Sequence, residues 1–413
     1  MRAPYPHLRI VRARRELAPP PASPAAAGEG QTGSPQPLVL LRRAVLAAVL
    51  LVTACGLIRF PGPQPSTVPP EGSVHVFLWG NPNTTDRDLR LAKEAGFTWV
   101  KQRFEWRNIE RDGKGRFEWN EPDRIVRAVD SAGLKVVARV DGHAGWSRAV
   151  NIYPDDGPPD RMSDWADFLS ALGGRYKGKI DAYEIWNEPN LSREWGRKQP
   201  SAPEYVELLK ASYAAIKRAD PDALVVTAGL SPTTDTSPDA RPDIVYLREM
   251  YAAGARGSFD LLGAHAAGFK SPPQLDPATG ANNPTLTNND PSPPELRRAY
   301  FFRHAEDLRQ VMVENGDADR KMAVLEMGWT SDPRPTSDYR WHSVSEQEKA
   351  DYMAGAFRYA RGNWPWMAFM TVIYLPDPRW SSDQEQLYWS ITNQDGSARP
   401  AYNALKSVLP AGS

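Results

Sequence analysis

The sequence predicts an α/β fold, a single (β/α)8 (TIM) barrel domain, over residues 73–413. From residue 74 onward, short apolar segments alternate eight times with amphipathic ones. The apolar segments, such as 134–138, are nearly continuous, as expected of parallel strands that are buried on both faces. Eight strand–helix units in series favour a closed barrel over an open sheet.

The individual elements follow from this alternation. Strands are expected over 74–79, 98–105, 134–140, 180–186, 223–228, 261–265, 321–326 and 367–375. Helices are expected over 86–95, 123–132, 163–176, 203–219, 244–253, 294–315, 346–362 and 401–408. Gly96 and Gly133 each follow a helix and suit a left-handed cap. The chemistry of such barrels lies at the carboxyl ends of the strands, so the last residues of each strand are the candidates for a site.

The first 72 residues are predicted to lie outside the barrel. Residues 1–41 are rich in Pro, Ala, Gly and Arg without apolar periodicity, which indicates a disordered or upstream leader. Over 42–58, Arg42 and Arg43 precede an apolar run that ends beside Cys55, the single cysteine. This pattern is typical of a secretion signal and resembles a lipoprotein lipobox. A Pro-rich linker follows over 59–72.

These features predict export. A lipid anchor on Cys55, an uncleaved signal anchor and simple secretion remain alternatives, and all three place the barrel outside the cytoplasm. Lys+Arg and Asp+Glu both number 50, and seven arginines lie within residues 1–43. The basic charge therefore belongs to the leader, and we expect no nucleic-acid partner. We expect a monomer.

Two carboxylates follow apolar strands. Glu188 comes after the fourth strand in Trp186-Asn187-Glu188-Pro189, and Glu326 ends the seventh. An isolated carboxylate at such a position would be costly to bury unless it is paired or used. Because parallel barrel strands end at one mouth, we expect the two carboxylates to converge across it.

Such a pair is what retaining glycoside hydrolysis requires. One carboxylic acid protonates the leaving oxygen, the other carboxylate attacks the anomeric carbon, and the carboxyl groups lie about 5–5.5 Å apart. We expect burial and the negative partner to raise the pKa of the proton donor, while donors or cations keep the attacking group ionised. An inverting enzyme, with its carboxyl groups about 6.5–9.5 Å apart, remains a rival.

Trp186-Asn187-Glu188-Pro189 on the fourth strand, together with Glu326 on the seventh, resembles the bacterial clan A glycoside hydrolases, a superfamily that includes families 5 and 39. The resemblance extends over most of residues 74–408. It implies that Glu188 is the general acid/base, that Glu326 is the nucleophile and that Asn187 binds the sugar 2-hydroxyl. The implied reaction is double displacement at β-glycosidic bonds of an oligo- or polysaccharide. The choice between families 5 and 39 stays open.

The same resemblance places further side chains near the sugar. Lys101 or Arg103 takes the position of the clan's strand-two Arg, which supports the nucleophile, since both share one strand face. His265 on the sixth strand fits a sugar-binding or nucleophile-orienting position. Tyr374, or Trp380 on the following loop, is expected where the clan usually has a Trp beneath the sugar.

Other residues at the predicted mouth are expected to bind substrate. His143 and Trp146 follow the third strand and Trp329 follows the seventh, and we predict that all three contact the sugar. Five tryptophans cluster after strand ends, which favours stacking on sugar rings over core packing; they are Trp79, Trp146, Trp195, Trp329 and Trp380. Glu184 is interpreted as a buried carboxylate that pairs with one of the strand-two cations.

Two alternative functions make different demands on the sequence. A metal-dependent hydrolase would carry a His-x-His pair after the first strand, where the sequence has His75-Val76-Phe77. We therefore expect neither a metal nor another cofactor. A non-catalytic sugar-binding barrel would retain the tryptophans but lose a carboxylate, and it remains the alternative to an enzyme.

Overall fold

The structure is a computed structural model that describes residues 70–410. The predicted leader, the signal or lipoprotein segment with Cys55, and the linker up to residue 69 lie outside the described residues. Within the described range, none of the helices is both long enough and apolar enough to cross a membrane.

Eight parallel strands close into a barrel in sequence order, and the last strand pairs with the first. The strands are β1 (Glu71–His75), β2 (Trp99–Glu105), β3 (Lys135–Asp141), β4 (Ala182–Ile185), β5 (Leu224–Thr227), β6 (Leu261–His265), β7 (Lys321–Met327) and β8 (Met367–Val372). This arrangement confirms the predicted (β/α)8 barrel. β1 begins at Glu71 because Glu71 and Gly72 pair with β8, so the barrel includes the last two residues of the predicted linker.

A main helix follows each strand. The helices are α1 (Pro82–Glu94), α2 (Asn120–Ser131), α3 (Met162–Arg175), α4 (Ala202–Ala219), α5 (Asp243–Ala252), α6 (His304–Glu314), α7 (Glu346–Asn363) and α8 (Pro400–Val408). Short helical turns occupy the loops after several strands, including Ser192–Glu194 and Gln386–Trp389. These turns lie on the side of the barrel where the strands end.

The barrel interior is layered, since alternate residues of each strand point inward. Its lower layer is apolar and contains Trp99 of β2, which stacks on Phe369 of β8 with ring centroids 4.9 Å apart. The next inward positions carry charge, at Lys101 of β2 and Arg139 of β3. A larger apolar layer between the strands and the helices forms the main core. The apolar floor therefore supports a charged layer that leads up to the mouth.

The predicted long helix over 294–315 is interrupted. Short helical turns cover Pro294–Arg297 and Arg298–Tyr300, and α6 begins only at His304. Phe301 adopts an extended backbone, with φ −125° and ψ 140°. The rings of Phe301 and Phe302 are both buried, Phe302 against Trp364. The apolar pattern is continuous, but the chain leaves the helical conformation at Phe301 so that both aromatic side chains can be buried in different directions.

His304, the first residue of α6, joins two helices through a buried charge cluster. Its ring nitrogens lie 3.0 Å from Asp243 at the start of α5 and 2.9 Å from Asp307. Burial lowers the pKa of His304, but the two carboxylates outweigh it and raise the pKa to about 10. The imidazolium form therefore stabilises the packing of α5 against α6.

We expect His304→Gln to destabilise the protein in a pH-dependent way. A pKa raised in the folded state adds stability below the unfolded value of about 6.5, and this stability is lost as pH rises toward the folded value. The difference in melting temperature between wild type and His304→Gln should thus be largest near pH 6 and shrink toward pH 10. Thermal denaturation followed by circular dichroism measures it. A difference that is constant over this range would contradict the charge cluster.

Candidate active site

A cavity opens at the mouth of the barrel, where the strands end. It is bounded by the loops after β3, β4, β7 and β8 and floored by the ends of several strands. Its wall combines aromatic and charged side chains; they include Phe77, Arg103, Arg139, Asp155, Asp156, Glu188, Arg193, Glu194, Glu326, Tyr339, Tyr374, Trp380 and Glu385. Both predicted catalytic carboxylates face this one cavity.

A fully buried ion pair lies directly beneath the cavity. The Nζ atom of Lys101 on β2 is 2.8 Å from Oε2 of Glu184 on β4, and neither side chain has any exposed surface. Nζ also donates a hydrogen bond to the backbone carbonyl of Leu325, at 3.2 Å. Burial raises the pKa of Glu184, and the charge of Lys101 acts against this rise. The predicted pairing of Glu184 with a strand-two cation is confirmed, with Lys101 as its partner.

Glu326, near the end of β7, is surrounded by positive charge. Its Oε1 atom lies 3.5 Å from Nζ of Lys101 and 3.8 Å from a guanidinium nitrogen of Arg139. Oε2 lies 3.9 Å from Nδ1 of His265. Burial raises the pKa of Glu326, but His265, Lys101 and Arg139 together bring it below the ordinary value. This environment keeps the carboxylate ionised, as a nucleophile needs.

Arg103, the other predicted cation of β2, forms ion pairs in the cavity wall. It binds Asp141 at 2.6 Å, Asp156 at 2.8 Å and Glu105 at 2.8 Å. Burial raises the pKa of Asp141, but Arg103 and Arg139 lower it overall. Of the two cations that the resemblance left open, the structure therefore places Lys101 beside Glu326.

Glu188 follows β4 in a backbone conformation that the local sequence does not favour. Its φ is +40° and that of Trp186 is +71°, in the left-handed region that side chains rarely adopt. The Glu188 amide donates to the carbonyl of Gly229 at 3.0 Å. An added Cβ on Gly229 would lie 2.1 Å from the ring of His265, so a glycine is required there. These contacts turn Glu188 toward the cavity.

Glu188 has two cationic or polar partners. A guanidinium nitrogen of Arg193 donates to Oε2 at 2.6 Å, and Nδ1 of His265 lies 3.2 Å from Oε1. Burial raises the pKa of Glu188, but His265 and Arg193 outweigh it and lower the pKa to about 2. The expectation of a raised pKa for Glu188 is therefore wrong, because His265 and Arg193 together stabilise its ionised form more than burial destabilises it.

His265 links the two carboxylates. Its Nδ1 atom is 3.2 Å from Oε1 of Glu188 and 3.9 Å from Oε2 of Glu326. One imidazole nitrogen therefore lies within 4 Å of an oxygen of each carboxylate, and both carboxylates face the same cavity. The β6–β7 register shifts between Ala264 and His265, which sets His265 opposite Glu326.

Besides Arg103, three of the predicted sugar-binding residues line the cavity. Asn187 is buried, and within the described residues its Oδ1 atom has no hydrogen-bond partner, so it can accept one from a sugar hydroxyl. Tyr374 and Trp380 lie on the opposite side with ring centroids 5.2 Å apart. The peptide bond between Ile373 and Tyr374 is cis. The two rings form an aromatic wall on which a sugar ring can pack.

Three other predicted sugar contacts lie behind the cavity wall. His143 is buried near Asp156, and burial and Arg107 lower its pKa to about 4. Trp146 donates to the carbonyl of Glu110, at 2.7 Å. Trp329 is fully buried and donates to the carbonyl of Ser271, at 2.9 Å. Trp79 and Trp195 also pack in the core, so Trp380 alone of the five clustered tryptophans lines the described cavity.

Several cavity residues were not predicted from the sequence. Arg193 and Glu194 belong to the turn after β4, and Glu385 belongs to the loop after β8. Burial raises the pKa of Glu194, and it raises that of Glu385 to about 7 although Trp389 donates a hydrogen bond to it. These residues lie outside the strands, where no periodicity marks them. Arg139 could have been found, since it shares an inward strand face with Asp141.

Sequence comparison identifies the family. The family model described as cellulase (glycosyl hydrolase family 5) matches residues 64–292, more than half of the chain. The chain belongs to glycosyl hydrolase family 5. Family 5 consists of O-glycosyl hydrolases of clan A, which favours an enzyme over the non-catalytic alternative. The matched range of this family 5 enzyme contains Glu188 and ends before Glu326. None of the curated proteins matches the chain significantly.

Solved structures share the fold. A family 39 glycoside hydrolase from Bacteroides cellulosilyticus WH2 superposes with a TM-score of 0.61 at 19% identity, covering 84% of this chain and 64% of the other. A glucosidase from Croceicoccus marinus gives 0.56 at 14% identity, with 83% and 69% covered. A family 39 enzyme from Xanthomonas axonopodis pv. citri gives 0.56 at 17%, with 83% and 67% covered. The chain thus spans less than two thirds of the Bacteroides enzyme.

We expect Lys101→Met to destabilise the family 5 barrel strongly. Removing one partner of a buried ion pair leaves the other charge uncompensated, which typically costs about 3–5 kcal/mol. The double variant Lys101→Met/Glu184→Leu should recover most of this loss, since neither charge then remains buried. Urea unfolding measures both free energies. Lys135→Met, which removes the exposed Lys135–Glu71 pair, is the control and should change stability by less than about 1 kcal/mol. A double variant as unstable as Lys101→Met would refute the pairing argument.

Proposed function

We propose that this family 5 enzyme is a retaining glycoside hydrolase that cleaves β-glycosidic bonds of an oligo- or polysaccharide. In this proposal Glu326 is the nucleophile and Glu188 is the general acid/base. The observation that carries it is the convergence of these two carboxylates on one cavity, joined through His265. The family name cellulase supports a β-linked substrate.

The first step is attack by Glu326 on the anomeric carbon. Lys101, Arg139 and His265 keep this carboxylate ionised, so it can form the covalent glycosyl-enzyme intermediate. As the glycosidic C–O bond breaks, Glu188 transfers its proton to the leaving oxygen. In the second step Glu188, now a carboxylate, takes a proton from water, which attacks the anomeric carbon and releases Glu326.

The cavity wall supplies the contacts that would hold the sugar. Asn187 accepts a hydrogen bond from the 2-hydroxyl, an interaction that strengthens in the oxocarbenium-like transition state. Tyr374 and Trp380 offer apolar ring surface to the face of the sugar. Carboxylates and arginines around them offer acceptors and donors for the remaining hydroxyls.

Export remains part of the proposal. The sequence of residues 42–58, with its apolar run beside Cys55, is typical of an export signal, and export would bring the enzyme to polysaccharides outside the cell. Attachment through a lipid on Cys55 would hold the enzyme at the cell envelope.

Product stereochemistry tests the retaining mechanism. Double displacement inverts the anomeric centre twice, so the first product released from a β-glycoside should be the β-anomer. Proton NMR in the first minutes of a digest, before mutarotation, distinguishes the two anomers. A β-linked oligosaccharide panel identifies a cleaved substrate beforehand. An initial α-anomer would show single displacement and remove Glu326 as a nucleophile.

Glu188→Gln should slow hydrolysis according to the leaving group. A dinitrophenyl glycoside needs no proton to depart, so its first step should be nearly unchanged, whereas an unactivated oligosaccharide should react about 10²–10⁴-fold more slowly. Glu326→Gln is the matched comparison, since the same isosteric change should abolish turnover of both substrates. Stopped-flow and steady-state rates measure these effects. Equal losses on both substrates in Glu188→Gln would remove its role as acid/base.

A further inference from the structure

Arg193 lies between two carboxylates in the cavity. One of its terminal nitrogens donates to Oε2 of Glu188 at 2.6 Å, and its Nε atom is 3.5 Å from Oε1 of Glu194. Within the described residues, Nε makes no hydrogen bond. The side chains of Glu188, Arg193 and Glu194 are 9%, 20% and 15% exposed, so solvent screens them little. One guanidinium is thus within reach of two buried acids.

This arrangement conflicts with the role of Glu188. A general acid must carry a proton before the leaving oxygen departs, but a carboxylate held by a guanidinium at 2.6 Å stays ionised. The first step therefore requires Arg193 to release Oε2 of Glu188.

We propose that Arg193 is a positioning residue that moves from Glu188 to Glu194 when a sugar enters the cavity, so that Glu188 can take up the proton it later donates. The proposal rests on the proposed function of Glu188 as acid/base. The proton comes from solvent water and binds to Oε2 of Glu188. It passes to the leaving oxygen as the glycosidic C–O bond breaks, and Glu188 is left as a carboxylate.

The backbone around Arg193 is fixed, which confines the movement to the side chain. The indole of Trp186 donates to the carbonyl of Glu194 at 2.8 Å, and the amide of Asp156 donates to the carbonyl of Arg193 at 3.1 Å. The amide of Gly196 donates to the carbonyl of Asp156 at 2.7 Å. A rotation of the arginine side chain is enough to bring its terminal nitrogens from one carboxylate to the other.

The electrostatics of Glu194 favour the exchange. Burial raises the pKa of Glu194, and Arg193 and Arg139 act against that rise. A closer ion pair with Arg193 would therefore stabilise the ionised form of Glu194. Two buried acids that share one cation cannot both be well compensated, so the acid without the cation tends to hold a proton.

Other charged groups face the pair, and each has its own partner. His265 of β6 contacts Glu188 and remains there in both arrangements. Glu326 of β7 lies across the cavity beside Lys101. Arg139 of β3 donates to Asp141 at 2.6 Å. The second carboxylate near His265 and near Arg139 is Glu326, whereas the second carboxylate near Arg193 is Glu194, 3.5 Å from an Nε atom that makes no hydrogen bond within the described residues.

A comparison of pH profiles tests the proposal. The basic limb of kcat/KM reports the acid in the free enzyme, and that of kcat reports the acid in the substrate complex. On an unactivated oligosaccharide, the wild-type basic limb of kcat should lie at higher pH than that of kcat/KM. We expect a separation of about one pH unit or more, as for a carboxylate that loses a cation within about 4–6 Å.

Two variants should each reduce the separation between the two limbs, one by moving the kcat/KM limb and the other by moving the kcat limb. In Arg193→Gln, Glu188 has no cation in the free enzyme, so the kcat/KM limb should move up toward the kcat limb. In Glu194→Gln, Arg193 has no second carboxylate, so the kcat limb should move down toward the kcat/KM limb and kcat should fall. Arg193→Lys keeps the charge and should restore most of the wild-type separation. Lys198→Gln removes an exposed cation from the same loop and is the control, with unchanged limbs.

The outcomes separate this inference from the proposed function. If Glu188→Gln slows activated and unactivated substrates equally, the proposed acid/base is wrong. If Glu188→Gln behaves as expected but the wild-type limbs coincide, or Arg193→Gln lowers the rate without moving either limb, Arg193 is only a structural part of the wall. Should Arg193→Gln fail to fold by circular dichroism, the Glu194→Gln and Arg193→Lys profiles decide the question.

Discussion

The buried ion pair between Lys101 and Glu184 is the constraint on which the mouth of the barrel depends. Its two charges lie on β2 and β4, with no exposed surface, just above the apolar floor. Neither can be removed alone without leaving an uncompensated charge in the interior. Lys101 also reaches Glu326, 3.5 Å away. The same cation therefore compensates Glu184 in the charged layer of the barrel and favours the ionised form of Glu326.

The parts of the molecule that could be predicted from sequence are those where periodicity and strand ends carry information. Apolar alternation located all eight strands, because strands buried on both faces have few polar residues. The rule that chemistry lies at strand ends predicted that Glu188 and Glu326 face one cavity, as they do. Where two burial demands compete, as at Phe301 and Phe302, the helical pattern over 294–315 was a poor guide.

The remainder of the site could not be predicted, because it is built by loops. Arg193, Glu194 and Glu385 are ordinary polar residues in segments without periodicity, and only the folded chain brings them to the cavity. A position after a strand also does not show whether a tryptophan lies in the core or in the cavity wall. Trp329 is buried among helices, whereas Trp380, further along its loop, lines the wall. A large ring near a strand end can turn outward to the helices as readily as toward the mouth.

The backbone hydrogen bonds between the loops after β3 and β4 have an evolutionary consequence. Asp156 exchanges main-chain bonds with Arg193 and Gly196, and a Cβ on Gly157 would come within 2.7 Å of Gly196. The two loops are thus complementary in shape. An insertion or a larger side chain in one loop requires a compensating change in the other. Changes in the length of this rim are expected to proceed by paired exchange of both loops.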